Sequence, residues 1–179
     1  MFASNKAAIR FIFSAISIYL LWYFLYEFFI FPDGRVDTWL TTFSTDTTAK
    51  FLNLFGVKTE IYYNVDKCFL FINGQRGLGV AHSCNGLILF VLFTVFIILF
   101  PGRIIDKIWF IPAGILAIFF LNIIRIICLG YLNIKYVDLL EFNHKYTFTV
   151  IVYGFIFLLW MLWVDYFAIK SLKPIKNID

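Results

Sequence analysis

Apolar positions run along the chain in four blocks, at residues 11–31, 87–100, 108–128 and 147–169. The first, third and fourth reach the roughly 20 residues that a helix needs to cross a hydrocarbon core. The second has 14 strictly apolar residues, a length that also suits a re-entrant segment. With His82, Ser83, Cys84 and Asn85 at the interface above it, the pattern predicts a span over about 84–100. The first block is not read as a cleavable signal peptide. Its apolar run is too long, and it exits through Phe29-Ile30-Phe31-Pro32 with no small-residue cleavage site. It is expected to stay as an anchor.

The stretch between the first two blocks, 32–83, has a different texture. Within 37–55, apolar residues recur at Trp39, Phe43, Phe51 and Phe55, Thr47 fills the remaining step of four, and Gly56 follows as a stop. This predicts an amphipathic helix, either lying on the outer membrane surface or packed on the spans. Residues 60–65 and 67–72 are rich in β-formers, and Asn73-Gly74 is a hairpin turn signal. Gly77 and Gly79 then lead into the second span. The glycine-rich run 74–79 lacks a following Lys-Ser or Lys-Thr, so it is no phosphate loop. The expected architecture is a single all-α membrane domain over 1–179. It has about four transmembrane helices, at about 11–31, 84–100, 108–128 and 147–169. A small outward α/β cap at 32–83 consists of an amphipathic helix and a β-hairpin.

Composition strengthens this. Apolar residues make up 62% of the chain, with 24 Phe, 10 Tyr and 5 Trp, and only 15% is charged. A soluble domain carries roughly 25% charge and could not hide so much Phe in one core. Disordered chains, secreted disulfide scaffolds and ordinary cytosolic enzymes are excluded. The net charge of +4 is scattered and is no nucleic-acid signal. Its placement instead sets orientation. The ten-residue head, the 101–107 loop and the tail hold seven basic residues in 27 positions. The other side, 32–83 and 130–146, holds seven in 69. Both termini are expected in the cytoplasm, and the cap outside.

That orientation brings three polar residues to one depth. Asn122 and Arg125 share a face of the third span, with Arg125 about one turn below the outer surface. Cys84 opens the second span and His144 precedes the fourth, both from outside. A thiol becomes a good nucleophile near a cation, and a histidine can carry its proton to a leaving amine. An arginine can hold a developing oxyanion with fixed charge and two donors. These are the parts of an acyl-transfer site. Singly, each residue has an ordinary explanation: a small core thiol, a snorkelling arginine, a solvated loop histidine. Their meeting at one depth is what favours chemistry. Glu27 and Asp165 read as interfacial, and Cys128 as packing. A Cys68–Cys84 disulfide is allowed outside the cytoplasm but would block the nucleophile.

Ala81-His82-Ser83-Cys84-Asn85-Gly86-Leu87, opening a span, resembles the signature of the exosortase/archaeosortase family. Asn122-Ile123-Ile124-Arg125-Ile126 resembles that family's Asn-x-x-Arg-Ile segment, and His144 its third position. The resemblance covers roughly residues 77–163 and is most like the compact exosortase F group. It implies a membrane-embedded cysteine transpeptidase of the bacterial cytoplasmic (inner) membrane, working at the outer face. Its substrates would be membrane-anchored proteins with a C-terminal sorting signal: a short motif, a transmembrane helix and a basic tail. Cys84 would be the nucleophile, with Arg125 and His144 as partners. Asn85 stands where the family usually has Ser, which questions any role of a neighbouring hydroxyl. His82, two residues from Cys84, is a rival base.

The resulting expectation is a cysteine protease/transpeptidase in contact with the lipid bilayer, with no cofactor, no bound metal and no nucleic-acid partner. Asn122, His82 and Asn85 are support residues. A second reading gathers Cys68, His82, Cys84 and His144 as metal ligands, although their spacing fits no compact zinc pattern. A third is a non-catalytic membrane assembly or scaffold subunit, for which Cys84→Ser is silent.

Overall fold

The computed structural model describes residues 2–64 and 67–168. Val65, Ile169 and the tail lysines Lys170, Lys173 and Lys176 lie outside them, as does the side chain of Lys6. Helix α1 (Phe2–Leu25) passes through a π-helical turn (Tyr26–Ile30) into the short α2 (Phe31–Asp33). Gly34, at φ 65°, redirects the chain into α3 (Arg35–Leu54). Strands β1 (Thr59–Tyr63), β2 (Lys67–Ile72) and β3 (Gln75–Ala81) follow. A 3-10 turn (His82–Cys84) leads to α4 (Leu87–Leu99) and then α5 (Ile104–Lys135). After α6 (Val137–Phe142), a second π turn (Asn143–Thr147) runs into α7 (Phe148–Trp163) and a third (Val164–Ala168).

Among the described residues, three helical stretches are long and apolar enough to cross a membrane: Ile12–Asp33, Ile104–Lys135 and Val137–Phe167. The second apolar block forms only the 13-residue α4, about 20 Å long against a core of roughly 30 Å. The four expected spans are therefore three long helices and one short one. The expected loop before the last block is absent. Only Tyr136, at φ −145° and ψ 66°, separates α5 from the helical run that carries His144. His144 is thus a helix residue, half-buried, and not a solvated loop histidine.

Helix α5 organises the molecule because its 32 residues, about 48 Å, exceed what a bilayer core requires. Its first two thirds join a membrane core of Leu89, Phe93 and Ile97 from α4, Phe110 and Ile118 from α5, and Val152, Ile156 and Trp163 from α7. Its last third leaves the bundle. There Ile126, with Ile127, Tyr131 and Ile134, packs into a second core with Ala49, Leu52, Leu70, Ile72 and Val80 of the cap. One rigid helix therefore carries both cores. At the opposite end, Lys107 donates to the carbonyls of Ile98 and Phe100 at 2.7 and 2.8 Å, satisfying the free acceptors where α4 stops.

The expected hairpin is a three-stranded antiparallel meander, in the order β1-β2-β3. Asn73 and Gly74, at φ 51° and 76°, make the β2–β3 turn that their sequence signals. The glycines expected to be a lead-in belong instead to β3, and packing explains them. A side chain on Gly79 would meet the Phe69 ring at 3.0 Å, and one on Gly77 the Leu70 carbonyl at the same distance. The tie between α3 and β1 runs from the Tyr63 hydroxyl to Asp46 at 2.6 Å. That bond, with some desolvation, pushes the phenol up to about 12, so the tie persists across physiological pH.

Helix α3 has the expected periodicity, but its polar side is the buried one. Asp37, Thr41, Ser44, Thr45 and Thr48 face inward with Leu40, Ala49 and Leu52. Thr45 and Thr48 satisfy themselves on the carbonyls of Thr41 and Ser44, each at 2.8 Å, as buried hydroxyls in helices do. The ridge of Trp39, Phe51 and Phe55 is exposed. Phe43 stacks on Trp39 and on Phe119 of α5, at 5.5 and 5.3 Å between centroids.

The α4–α5 contact depends on Gly114. A Cβ there would clash with the ring of Phe93, which is fully buried. Overpacking of this kind costs about 1–3 kcal/mol. Gly114→Ala should lower the thermal midpoint of the detergent-solubilised protein, and adding Phe93→Leu should recover most of the loss. A midpoint unchanged by Gly114→Ala would contradict this packing.

Candidate active site

Strand β3 delivers Cys84 to the top of α4 through a tight turn. The Asn85 N–H donates to the His82 carbonyl at 3.2 Å, closing the turn. Gly86 takes φ 89°, a left-handed conformation that side chains disfavour. The Asn85 Oδ1 then accepts from the Leu87 N–H at 2.9 Å, pairing one of the free donors that start α4. From α5, the Nδ2 of Asn122 donates to the Cys84 carbonyl at 3.0 Å. The turn is held at both of its exits.

Held this way, the half-buried Cys84 has its Sγ 3.2 Å from Nε2 of His144. The Nη2 of Arg125 lies 3.4 Å from the same nitrogen. The three side chains come from the 3-10 turn, α5 and the π turn before α7. Such π turns recur at functional sites because they re-aim one side chain within a continuous helix. With its ring proton on Nδ1, His144 presents Nε2 as an acceptor to the thiol and to the guanidinium. After taking the thiol proton it would donate back to the sulfur. Arg125 also lines a cavity of about 210 Å³, with Tyr26, Ser83, Asn85, Thr149 and Tyr153 among the other walls. Cys84 and His144 are not on those walls, so Arg125 links the cavity to the thiol–imidazole pair.

Of the residues singled out in the sequence, Cys84, Arg125, His144 and Asn122 meet. His82 lines the same cavity as Arg125, but its described hydrogen bond is with α3, between its Nδ1 and the Thr41 hydroxyl at 3.0 Å. Asn85 is 2% exposed and serves the turn itself. Cys68 is buried in the sheet, 3.8 Å from the Thr42 hydroxyl, and all three cysteines are free. The Cys68–Cys84 disulfide is therefore absent. Of the four candidate metal ligands, Cys84 and His144 touch each other while Cys68 and His82 contact α3, and no group of three or more His, Cys, Asp or Glu side chains gathers among the described residues. Glu27 and Asp165 are exposed, and Cys128 is half-buried.

Asp37 and Tyr26 escaped the sequence reading. Asp37 is 1% exposed and accepts from Asn85 Nδ2 at 2.7 Å and from the Tyr26 hydroxyl at 3.0 Å. One signal was available. Asp37, Thr41, Thr45 and Thr48 form a polar stripe at helical spacing, opposite the Trp39 ridge.

Comparison with known proteins adds one finding. The family model described as transmembrane exosortase (Exosortase_EpsH) matches residues 1–166. No curated protein and no solved structure matches the chain.

The geometry makes a test of thiol reactivity. In membranes, Cys84 should be alkylated by a soluble maleimide faster than Cys68, which is only 4% exposed. His144→Ala removes the base in contact with the sulfur and should slow Cys84 labelling at neutral pH about tenfold. Equal labelling rates with and without His144 would show that the 3.2 Å contact does not activate the thiol.

Proposed function

The chain belongs to the transmembrane exosortase family, and from that premise we propose that it is a cysteine-dependent membrane transpeptidase or protease. The observation that carries this reading is the convergence of Cys84 and Arg125 on Nε2 of His144, at 3.2 and 3.4 Å. No cofactor is required. Its substrates are membrane-anchored proteins that carry a C-terminal sorting signal, with a hydrophobic helix and a basic tail. The substrate helix lies beside the spans, so its scissile bond sits at the depth of Cys84.

In this mechanism His144 Nε2 takes the proton from Cys84, and the thiolate sulfur attacks the backbone carbonyl carbon. The carbonyl oxygen becomes an oxyanion, and the Arg125 guanidinium stabilises it with fixed charge and directed N–H donors. Collapse breaks the C–N bond as His144 returns its proton to the departing amine. The thioester left on Cys84 is then attacked by an acceptor amine or by water, whose proton passes to His144. The Cys84 sulfur leaves and recovers that proton. Asn122 keeps the Cys84 backbone in place throughout.

The proposed site faces outward across a bacterial cytoplasmic membrane, and both termini face the cytoplasm. This orientation is supported by the basic density of the head, the 101–107 loop and the tail. The short α4 completes a fourth crossing. Its 3-10 lead-in lengthens it, and the neighbouring α5 and α7 shield its polar end from lipid. The exposed ridge of α3 rests in the outer interface.

Two predictions follow from the mechanism and the topology. Arg125→Lys keeps the charge and loses the planar fork. It should insert normally, yet processing of a co-expressed substrate should fall about 10²–10³-fold, the usual cost of one oxyanion donor. Full processing by Arg125→Lys would reduce Arg125 to a charge or an anchor. Separately, an impermeant amine reagent should label Lys50 and Lys67 in intact spheroplasts and spare Lys173 and Lys176. The reverse pattern would invert the topology.

A further inference from the structure

Asp37 is a buried carboxylate that the mechanism above leaves unused. It lies on α3, 1% exposed, at the junction of three separate parts of the chain. The Tyr26 hydroxyl donates to its Oδ2 at 3.0 Å from the π turn near the end of the first span. Asn85 Nδ2 donates to its Oδ1 at 2.7 Å. Asn85 Oδ1, in turn, accepts from the Leu87 N–H. A continuous hydrogen-bonded chain thus runs from Tyr26 through Asp37 and Asn85 to the first residue of α4.

A buried carboxylate is costly unless hydrogen-bonded, so this one must be matched closely by its donors. An acceptor-only carboxylate takes both donors at once, whereas an aliphatic side chain in its place would leave the buried Asn85 amide without its partner. The chain also meets the Cys84 turn at the residue that follows the one Asn122 holds. Asn122 grips the Cys84 carbonyl from α5, and Asp37 grips the next residue from α3. Without the second grip, the turn could pivot about the first, and Sγ would leave its 3.2 Å contact with His144. Displacing a reacting group by about 1 Å can cost roughly 10²-fold in rate.

We infer that Asp37 is a positioning residue for Cys84, acting through Asn85, with Tyr26 fixing the orientation of its carboxylate. This rests on the catalytic reading of Cys84. It gives Asn85, the departure from the family's usual serine, a physical purpose: its side chain has both the donor for Asp37 and the acceptor for Leu87. It also ties the first span to the site, because the Tyr26 end of the chain moves with α1.

A reciprocal exchange tests the inference. Asp37→Leu removes both acceptors, and Asn85→Asp sets two carboxylates together, so each single variant breaks the chain. Asp37→Asn alone keeps it, because its amide can donate to the Tyr26 hydroxyl, and it enters only beside Asn85→Asp in the double variant. The double variant restores it in reverse: Tyr26 donates to the amide oxygen at 37, the amide nitrogen donates to the carboxylate at 85, and Leu87 N–H still donates to 85. Substrate processing, Cys84 alkylation and membrane insertion are measured together, beside Cys84→Ala as control. Each single variant should process about 10- to 100-fold more slowly, and the double variant should return to within about threefold of the wild type. Tyr26→Phe, which changes no packing volume of note, should slow processing several-fold at normal insertion. If Asp37→Leu does not insert, the double variant and Tyr26→Phe decide the matter.

Wild-type processing by an inserted Asp37→Leu, with Cys84→Ala inactive, would overturn the positioning role and leave the catalytic reading standing. So would a double variant that inserts normally and processes no better than Asn85→Asp. Processing that survives in Cys84→Ala would remove the catalytic reading itself, and the role of Asp37 with it.

Discussion

The amide of Asn122 joins the long helix to the backbone of Cys84, and the arrangement of the site depends on that bond. Asn122 is 1% exposed, and its Nδ2 lies 3.0 Å from the Cys84 carbonyl. Near the end of an apolar bundle, water is scarce and an unpaired carbonyl is expensive. The turn that carries Cys84 cannot bond within itself alone, because it stands between a strand and a helix. Asn122 supplies the missing donor from a rigid element. One helical turn later the same face presents Arg125, so the grip on Cys84 also sets the distance from the guanidinium to His144.

Helix α5 transmits this constraint in both directions. Below Asn122 it is fixed by α4 and α7 through a core in which Phe93, Ile97 and Trp163 are fully buried. Above Arg125 it is fixed by the sheet, through Ile126 against Leu70, Ile72 and Val80. The polar residues therefore occupy the short interval between two apolar cores on a single helix. Ligating groups borne on regular elements hold their geometry better than groups on loops. Here Arg125 and Asn122 belong to the helix interior, and His144 to a helical turn.

Much of this could be read from the sequence. The four apolar blocks, the Asn73-Gly74 turn and the joint placement of Cys84, Asn122, Arg125 and His144 follow from local patterns of length, turn chemistry and helical spacing. What escaped has one physical character: it depends on contacts between elements. Gly77 and Gly79 look like a lead-in to the second span until Ile72 and Phe69, respectively, are packed against them. The stripe from Asp37 to Thr48 looks like a solvated face until the apolar ridge of Trp39 and Phe51 is seen to point outward. In a membrane the usual sense of amphipathicity is no guide, since lipid accepts the apolar side and protein the polar one. The π turns at Tyr26 and His144 have no signature of composition, and they decide where those two side chains aim.

The central claim is that Cys84 forms a covalent acyl intermediate with a protein substrate, and mass spectrometry can observe that bond directly. The protein is co-expressed with a substrate bearing a C-terminal hydrophobic helix and basic tail, quenched in acid and digested. The peptide containing Cys84 should carry the carboxyl end of the cleaved substrate as a thioester, released by neutral hydroxylamine and missing from Cys84→Ala. Continued substrate cleavage in cells whose only copy is Cys84→Ala, with no adduct on the wild-type thiol, would contradict it.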